Sequence, residues 1–294
     1  MNVTCPICAT EDRTVDGFDL ITVLGLMKEY NWQEIWRRYG PEDSSNQSIS
    51  MYVKANSYFV ELHIQQMQRI ILSEKFNTNP FFMQQVIQRI IASHDHHLII
   101  GKIRQQGLDT GDSPISLSCS MGNTIIDLIA HRNEPFSDTG DQPRGNTHIE
   151  AVESRPLDVY DLSSTLYLCQ QDLTDAIFRR YYDTQEGRDD DPVWRVVRMA
   201  VQVGDYQVNL SFRCIPTDVE TSIQPPGNAS VFTIHQVIQR MNFRHSPELI
   251  LKEMKDVGLS VSLSQVIRGF SLSRYINNTA LRLDFKKRDS SPHK

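Results

Sequence analysis

The pentapeptide Gln-Val-Ile-Gln-Arg occurs twice, at residues 85–89 and 236–240. Extended without gaps, residues 77–108 match residues 228–259 at 12 of 32 positions. A second block, residues 11–39 against 153–181, matches at 11 of 29 positions. The blocks follow one another in the same order, at offsets of 151 and 142 residues. Self-similarity of this kind marks a chain assembled from repeated supersecondary units. It limits the architecture more than any single motif does, because each local reading must hold in both copies.

The sequence therefore predicts an α+β fold made by tandem duplication of a unit of about 130 residues. The first copy covers residues 1–132, with an additional N-terminal segment carrying Cys5-Pro-Ile-Cys8. Residues 133–150, rich in Pro, Gly, Asp and Asn, read as a linker. The second copy covers 151–285, and 286–294 reads as a polar, frayed tail. Two fused copies suggest an ancestral homodimer and a pseudo-two-fold relation.

Within each unit the expected order is two helices, a β-hairpin, two helices and further strands. Leu20, Leu24 and Met27 step at helical spacing, as do Leu162, Leu166 and Cys169. The hairpin is clearest in the second copy, where Gly204-Asp205 forms a two-residue II′ turn between alternating strands. That turn pairs Val203 with Tyr206, Val201 with Val208, Met199 with Leu210 and Val197 with Phe212. In the first copy, residues 51–71 could pass for one long helix, but the repeat places Asn56-Ser57 on the Gly204-Asp205 turn. Strands are therefore expected over 49–55 and 58–65, and a further strand around 68–72. Asn79-Pro80 and Ser230 open the Gln-Val-Ile-Gln-Arg helices as N-caps. On those helices Val86, Ile87 and Ile90 supply the apolar side, with Gln88 and Arg89 directed elsewhere. The next helices end at Gly107 and Gly258. Ser-Leu-Ser at 116–118 answers Ser-Leu-Ser at 262–264, which makes 265–276 an extra segment of the second copy.

Composition narrows the function classes. The 39% apolar and 22% charged content is that of a soluble globular chain. A net charge of −6 argues against bulk binding to a phosphate backbone, which needs clustered Lys and Arg. No apolar run reaches membrane-spanning length and the N-terminus lacks a signal-peptide pattern, so a cytoplasmic location is expected. Five cysteines without framework spacing fit a reducing compartment, with Cys119, Cys169 and Cys214 on apolar periodic positions.

Cys5-x-x-Cys8 is the sharpest chemical signal, since CxxC is the first half of many structural zinc sites. A second CxxC is lacking, and the ligands that could complete a tetrahedron are His94, His96 and His97. No cofactor is expected, the plainer reading being two reduced thiols and a polar helix–helix turn; zinc is the alternative, and would make the chain a zinc-dependent enzyme or regulator centred on Cys5, Cys8 and the histidine cluster. No G-x-S-x-G, Walker A, G-x-G-x-x-G or H-E-x-x-H motif is present. The acidic run Asp189-Asp190-Asp191 reads as a solvated loop. Residues 247–276 can be drawn as a helix-turn-helix, with 264–275 as its second helix, giving a DNA-binding alternative. The acidic balance and the first copy's strands at the matching place weigh against it. Arg37-Arg38 and Arg179-Arg180 close helices, where cations complement the dipole.

Length, acidic character, Gln/Ile-rich helices such as residues 84–91, and the lack of a recognisable catalytic motif together resemble a known group. The chain is similar to the DotZ-type accessory subunits of the type IV coupling complex in Dot/Icm secretion systems. That resemblance implies a cytoplasmic, non-enzymatic adaptor, with protein subunits as partners, that stabilises the coupling complex and aids effector export.

Overall fold

A computed structural model describes residues 13–29, 31–40, 48–67, 78–108, 114–132, 156–171, 173–181, 196–214, 229–276 and 279–288. The fold is mixed α+β, with two four-stranded antiparallel sheets and nine helices among the described residues. The chain divides into two compact units, Met1–Asp141 and Gln142–Lys294. The division falls within the stretch 133–150. Among the described residues, no helix is long and apolar enough to cross a membrane.

The first unit runs α1 (Gly17–Lys28), α2 (Trp32–Tyr39), β1 (Ser48–Ala55), β2 (Tyr58–Gln66), α3 (Pro80–Ile91), α4 (His96–Gln105), β3 (Ile115–Met121) and β4 (Thr124–Arg132). Its sheet has the order β1-β2-β4-β3, so two hairpins join through their second strands. Asp16 opens α1 with a capping box: its carboxylate accepts from the Phe18 N–H, and Asp19 accepts from the Asp16 N–H at 2.8 Å. Every α1 residue from Gly17 to Met27 is buried. The helix packs chiefly on α3, and also on α2 and β1. Asn79 caps α3 through the Phe82 N–H, with Pro80 at the first helical position where its missing N–H costs nothing.

Residues 51–66 form a hairpin and not a long helix. Strand alternation puts Met51, Val53, Tyr58, Val60, Leu62 and Ile64 inward, all buried. The predicted strand at 68–72 lies outside the described residues.

The second unit runs α5 (Val159–Gln170), α6 (Thr174–Tyr181), β5 (Val196–Val203), β6 (Tyr206–Cys214), α7 (Val231–Asn242), α8 (Pro247–Asp256), α9 (Leu263–Arg268), β7 (Gly269–Ile276) and β8 (Thr279–Lys287), with sheet order β5-β6-β8-β7. The four inward hairpin pairs expected from Gly204-Asp205 all occur. Gly204 takes φ 55, the positive value that the first residue of a II′ turn requires.

Three expectations are corrected here. Ser-Leu-Ser at 262–264 is not the counterpart of 116–118. Leu117 pairs with Leu128, and Leu272 pairs with Leu283, so the strand Ser271-Leu272-Ser273 occupies that place. Ser262 is instead the N-cap of α9, in a capping box with Gln265. The extra element of the second unit is α9. For the same reason 264–275 is not a recognition helix. Gly269 ends α9 at φ 152, and a strand follows in which Phe270 stacks on Phe285 at 4.6 Å. Cross-strand aromatic packing outweighs the weak helical pattern there. Finally, Lys286 and Lys287 belong to β8, and the Arg288 N–H donates to the Asp205 carbonyl at 3.0 Å, so the ordered chain extends into the expected tail.

In both units the first hairpin's tip meets the end of the Gln-Val-Ile-Gln-Arg helix, by two different means. The Asn56 amide donates to the Ile90 and Ile91 carbonyls, the last two of α3, at 2.8 and 2.6 Å. In the second unit the backbone itself closes in. A Cβ placed on Gly204 would lie 2.1 Å from the Met241 carbonyl oxygen.

Candidate functional site

The three histidines proposed as zinc ligands do not share one setting. Cys5 and Cys8 lie outside the described residues, as does the acidic run at 189–191. His94 is buried, and its Nδ1 lies 3.1 Å from Arg89 Nη1. His96, the first residue of α4, is also buried, and its Nδ1 shares a 2.6 Å hydrogen bond with the Tyr58 hydroxyl. His97 is exposed, its ring 5.9 Å from that of His96. Asp95 caps α4 by accepting from the His97 and Leu98 N–H groups. Among the described residues, no group of three His, Cys, Asp or Glu is placed to hold a metal. The His96–Tyr58 bond ties the second helix pair to the sheet. His96→Ala is expected to lower the unit's stability by about 1–2 kcal/mol, because the buried hydroxyl loses its partner. Thermal unfolding of the variant checks this.

Cys119 and Cys169 are structural in character. Burial pushes the Cys119 thiol up to about 12, and it lies 3.9 Å from Met83 sulfur. Burial likewise raises Cys169 well above the ordinary thiol range. Neither has the thiolate character that reactive cysteines need.

Both units build the same tie between their first two helices. Tyr39 donates to Asp19 at 2.9 Å, and Tyr181 donates to Asp161 at 3.1 Å. In each case the acceptor is also the third residue of the capping box. Arg13 adds a two-pronged contact to Asp19 at 2.7 and 2.8 Å. The arginine pairs nearby do more than oppose a dipole. Arg37 and Arg38 both bond Glu34, whose carboxyl is held down at about 2 by the Arg37 hydrogen bond. Arg180 lies over the rings of Tyr160 and Tyr181, at 5.6 and 5.3 Å.

The Gln-Val-Ile-Gln-Arg helices are buried on their polar side as well, so Gln88 and Arg89, directed away from the apolar side, still lie inside. Gln88 and Arg89 are 6% and 3% exposed, and Gln239 and Arg240 are 1% and 2%. The following helix supplies the reason. Arg240 binds Glu253 of α8 through Nε and Nη2, each at 3.0 Å, and lies 3.2 Å from His245 Nδ1. Gln239 donates to Ser163 of α5 at 2.9 Å. Lys28, which no sequence signal singles out, is another unusual group. Burial lowers its ammonium to about 7, and it faces the Phe81 ring at 5.1 Å.

The two units part company on the outer faces of their sheets. The first carries Tyr52 and Phe59, each 49% exposed, together with His63, His131, Glu61 and Asp127. Glu61 lies between the two imidazoles, at 3.4 Å from His63 Nε2 and 3.9 Å from His131 Nε2. The second carries Arg198, Arg213, Arg282 and Lys286, all exposed, around a floor of Ala200, Asn209 and serines. Asp284 is the acidic residue on that face, and it pairs with Arg282 at 2.9 Å.

No family model matches this chain, and neither a curated protein nor a solved structure matches it. The outer sheet faces are therefore weighed on their own chemistry.

Proposed function

We propose that this protein is a non-enzymatic adaptor that holds protein subunits of a larger assembly through two related but diverged units. The observation that carries this is the contrast between conserved interior and diverged exterior. The Asp–Tyr tie, the capping boxes and the helix-to-hairpin contact recur in both units. The outer sheet faces do not: one is aromatic and His/Glu-bearing, the other is arginine-rich. On this reading a tandem duplication supplied two copies of one frame, in a pseudo-two-fold relation, and their surfaces then specialised for different partners.

The resemblance to accessory subunits of the Dot/Icm coupling complex gives this reading its setting. The assembly would be the cytoplasmic face of a type IV secretion coupling complex, with the adaptor stabilising it and aiding effector export. Affinity capture of the tagged chain from its native cells, followed by mass spectrometry, tests the proposal. Co-recovery of coupling-complex subunits at stoichiometric levels is the expected result. Recovery of the protein alone, together with an intrinsic turnover activity, would overturn it.

A further inference from the structure

We infer that β3, an edge strand of the first unit's sheet, pairs in antiparallel fashion with β3 of a second copy of this chain. This goes beyond the adaptor reading and stands without it. The two-residue turn Gly122-Asn123 closes on the pair Met121–Thr124, which is hydrogen-bonded in a turn of this length. Alternation then turns the backbone groups of Ile115, Leu117, Cys119 and Met121 toward β4. The N–H and C=O groups of Ser116, Ser118 and Ser120 point to the free edge. No backbone hydrogen bond among the described residues uses them. The Ser118 hydroxyl bonds Asp127, which leaves its main chain open.

The other described edges are guarded and this one is not. β1, β3, β5 and β7 are the outer strands of the two sheets. β1 carries Lys54, β5 carries Arg198 and β7 carries Arg274. Charged side chains on edge strands are one means by which proteins prevent edge-to-edge pairing. β3, Ile-Ser-Leu-Ser-Cys-Ser-Met, has no charge, no proline and no break in its register along β4. Helix α1 packs on β1, α5 on β5 and α9 on β7, whereas β3 has β4 as its main neighbour among the described residues. A strand laid along β3 meets open hydrogen-bonding groups and small side chains.

The occupant that fits is the strand itself. The three open serines are evenly spaced about Ser118, so a two-fold axis there sets Ser118 against its own copy. Ser116 then faces the second copy's Ser120, and Ser120 faces the second copy's Ser116. Each pair exchanges two N–H···O bonds, giving about six across the junction. On the outer face every new pair is serine on serine, with no like charges opposed. On the inner face Leu117 meets Cys119 and Ile115 meets Met121, apolar on apolar. A segment of another protein would need the same spacing of small outward side chains; the second copy has it by identity. Seven residues a side bury less than the roughly 1,200–2,000 Å² of a stable interface, so the dimer is weak and reversible. Half-association is expected at about 10–100 μM.

The test is sedimentation velocity of the full chain, from about 1 to about 300 μM, a range that brackets the expected midpoint. A shift from monomer to dimer is expected, and it should persist at about 500 mM salt, because main-chain pairing does not depend on unscreened charge. Ser116→Lys with Ser120→Lys sets lysines opposite one another and should weaken association by at least about tenfold. Tyr52→Lys, on the β1 edge, should leave association as it was. These side chains lie on the outer face of the sheet, so the circular dichroism of both variants should match wild type. Ser118→Cys is an independent probe. Mild oxidation should join two chains through residue 118, as located by peptide mass spectrometry, because facing Cα atoms about 5.5 Å apart suit a disulfide. A monomer at every concentration would overturn the inference, as would a dimer that the lysine pair leaves intact or that high salt dissolves. Failure to form the residue-118 link in a chain that still dimerises would overturn it too. The adaptor reading is tested separately by the cellular captures, which fail or succeed whatever this strand does.

Discussion

Glu253→Ala is expected to destabilise the second unit by about 3–5 kcal/mol, among the largest effects available in this fold. Arg240 is 2% exposed, and its guanidinium bonds the Glu253 carboxylate through both Nε and Nη2. Removing the carboxylate strands a buried cation that cannot give up its proton at any ordinary pH. The variant must then open the helix pair to water or distort it. The pair itself adds little net stability, because desolvating two ions offsets most of their attraction. Arg240→Met combined with Glu253→Leu should therefore restore much of what the single change loses. Hydrogen exchange over α7 and α8, with calorimetric unfolding of the single and double variants, measures both quantities. A single-variant loss below about 1 kcal/mol would show that the pair is more solvated than its burial implies. At the position in the first unit that the repeat aligns with Glu253 stands Lys102, so the same buried ion pair is not formed there.

Gly204→Ala should cost the second unit more than about 3 kcal/mol. Two penalties add. A φ of 55 is unfavourable for any residue with a Cβ, by about 1–2 kcal/mol. The new methyl would also stand 2.1 Å from the Met241 carbonyl oxygen, and that oxygen is backbone at the end of α7 and cannot swing aside. Hairpin and helix would have to separate. Gly107→Ala is the control. Its φ is 75, with nothing within 4 Å of the added Cβ, so only the conformational penalty of about 1–2 kcal/mol applies. Comparing the two melting temperatures separates backbone strain from close packing.

These residues show what a single sequence discloses. The Val203–Tyr206 hairpin was legible because strand alternation and a two-residue turn agree. The hidden hairpin at Asn56 was legible only through its repeat, since Tyr58, Val60 and Leu62 mean little until aligned with Tyr206, Val208 and Leu210. The N-caps Asn79 and Ser230 were accessible for local reasons. The burial of Gln88 and Arg240 was not, because a polar side chain goes inside only where another element brings a partner, and Glu253 lies on the next helix. Ser-Leu-Ser misled because a tripeptide match carries little information; the cross-strand pair Leu272–Leu283 decided the alignment. The basic outer face could not be read at all from net charge, which sums the array away. It appears only once the register places Arg198, Arg213, Arg282 and Lys286 on the same side of one sheet.

A helix buried from Gly17 to Met27 also sets a timetable. Such a segment has no face that water favours, and in isolation helices of this length are marginal. Its main cover, α3, is complete only about sixty residues later in the chain. At ordinary rates of synthesis that interval lasts on the order of several seconds. Through it the stretch from Phe18 to Met27 leaves the ribosome as an uncovered apolar ribbon. Newly made chains should therefore lean on holding factors early, and amides in this helix should be among the last to exchange once the unit has closed.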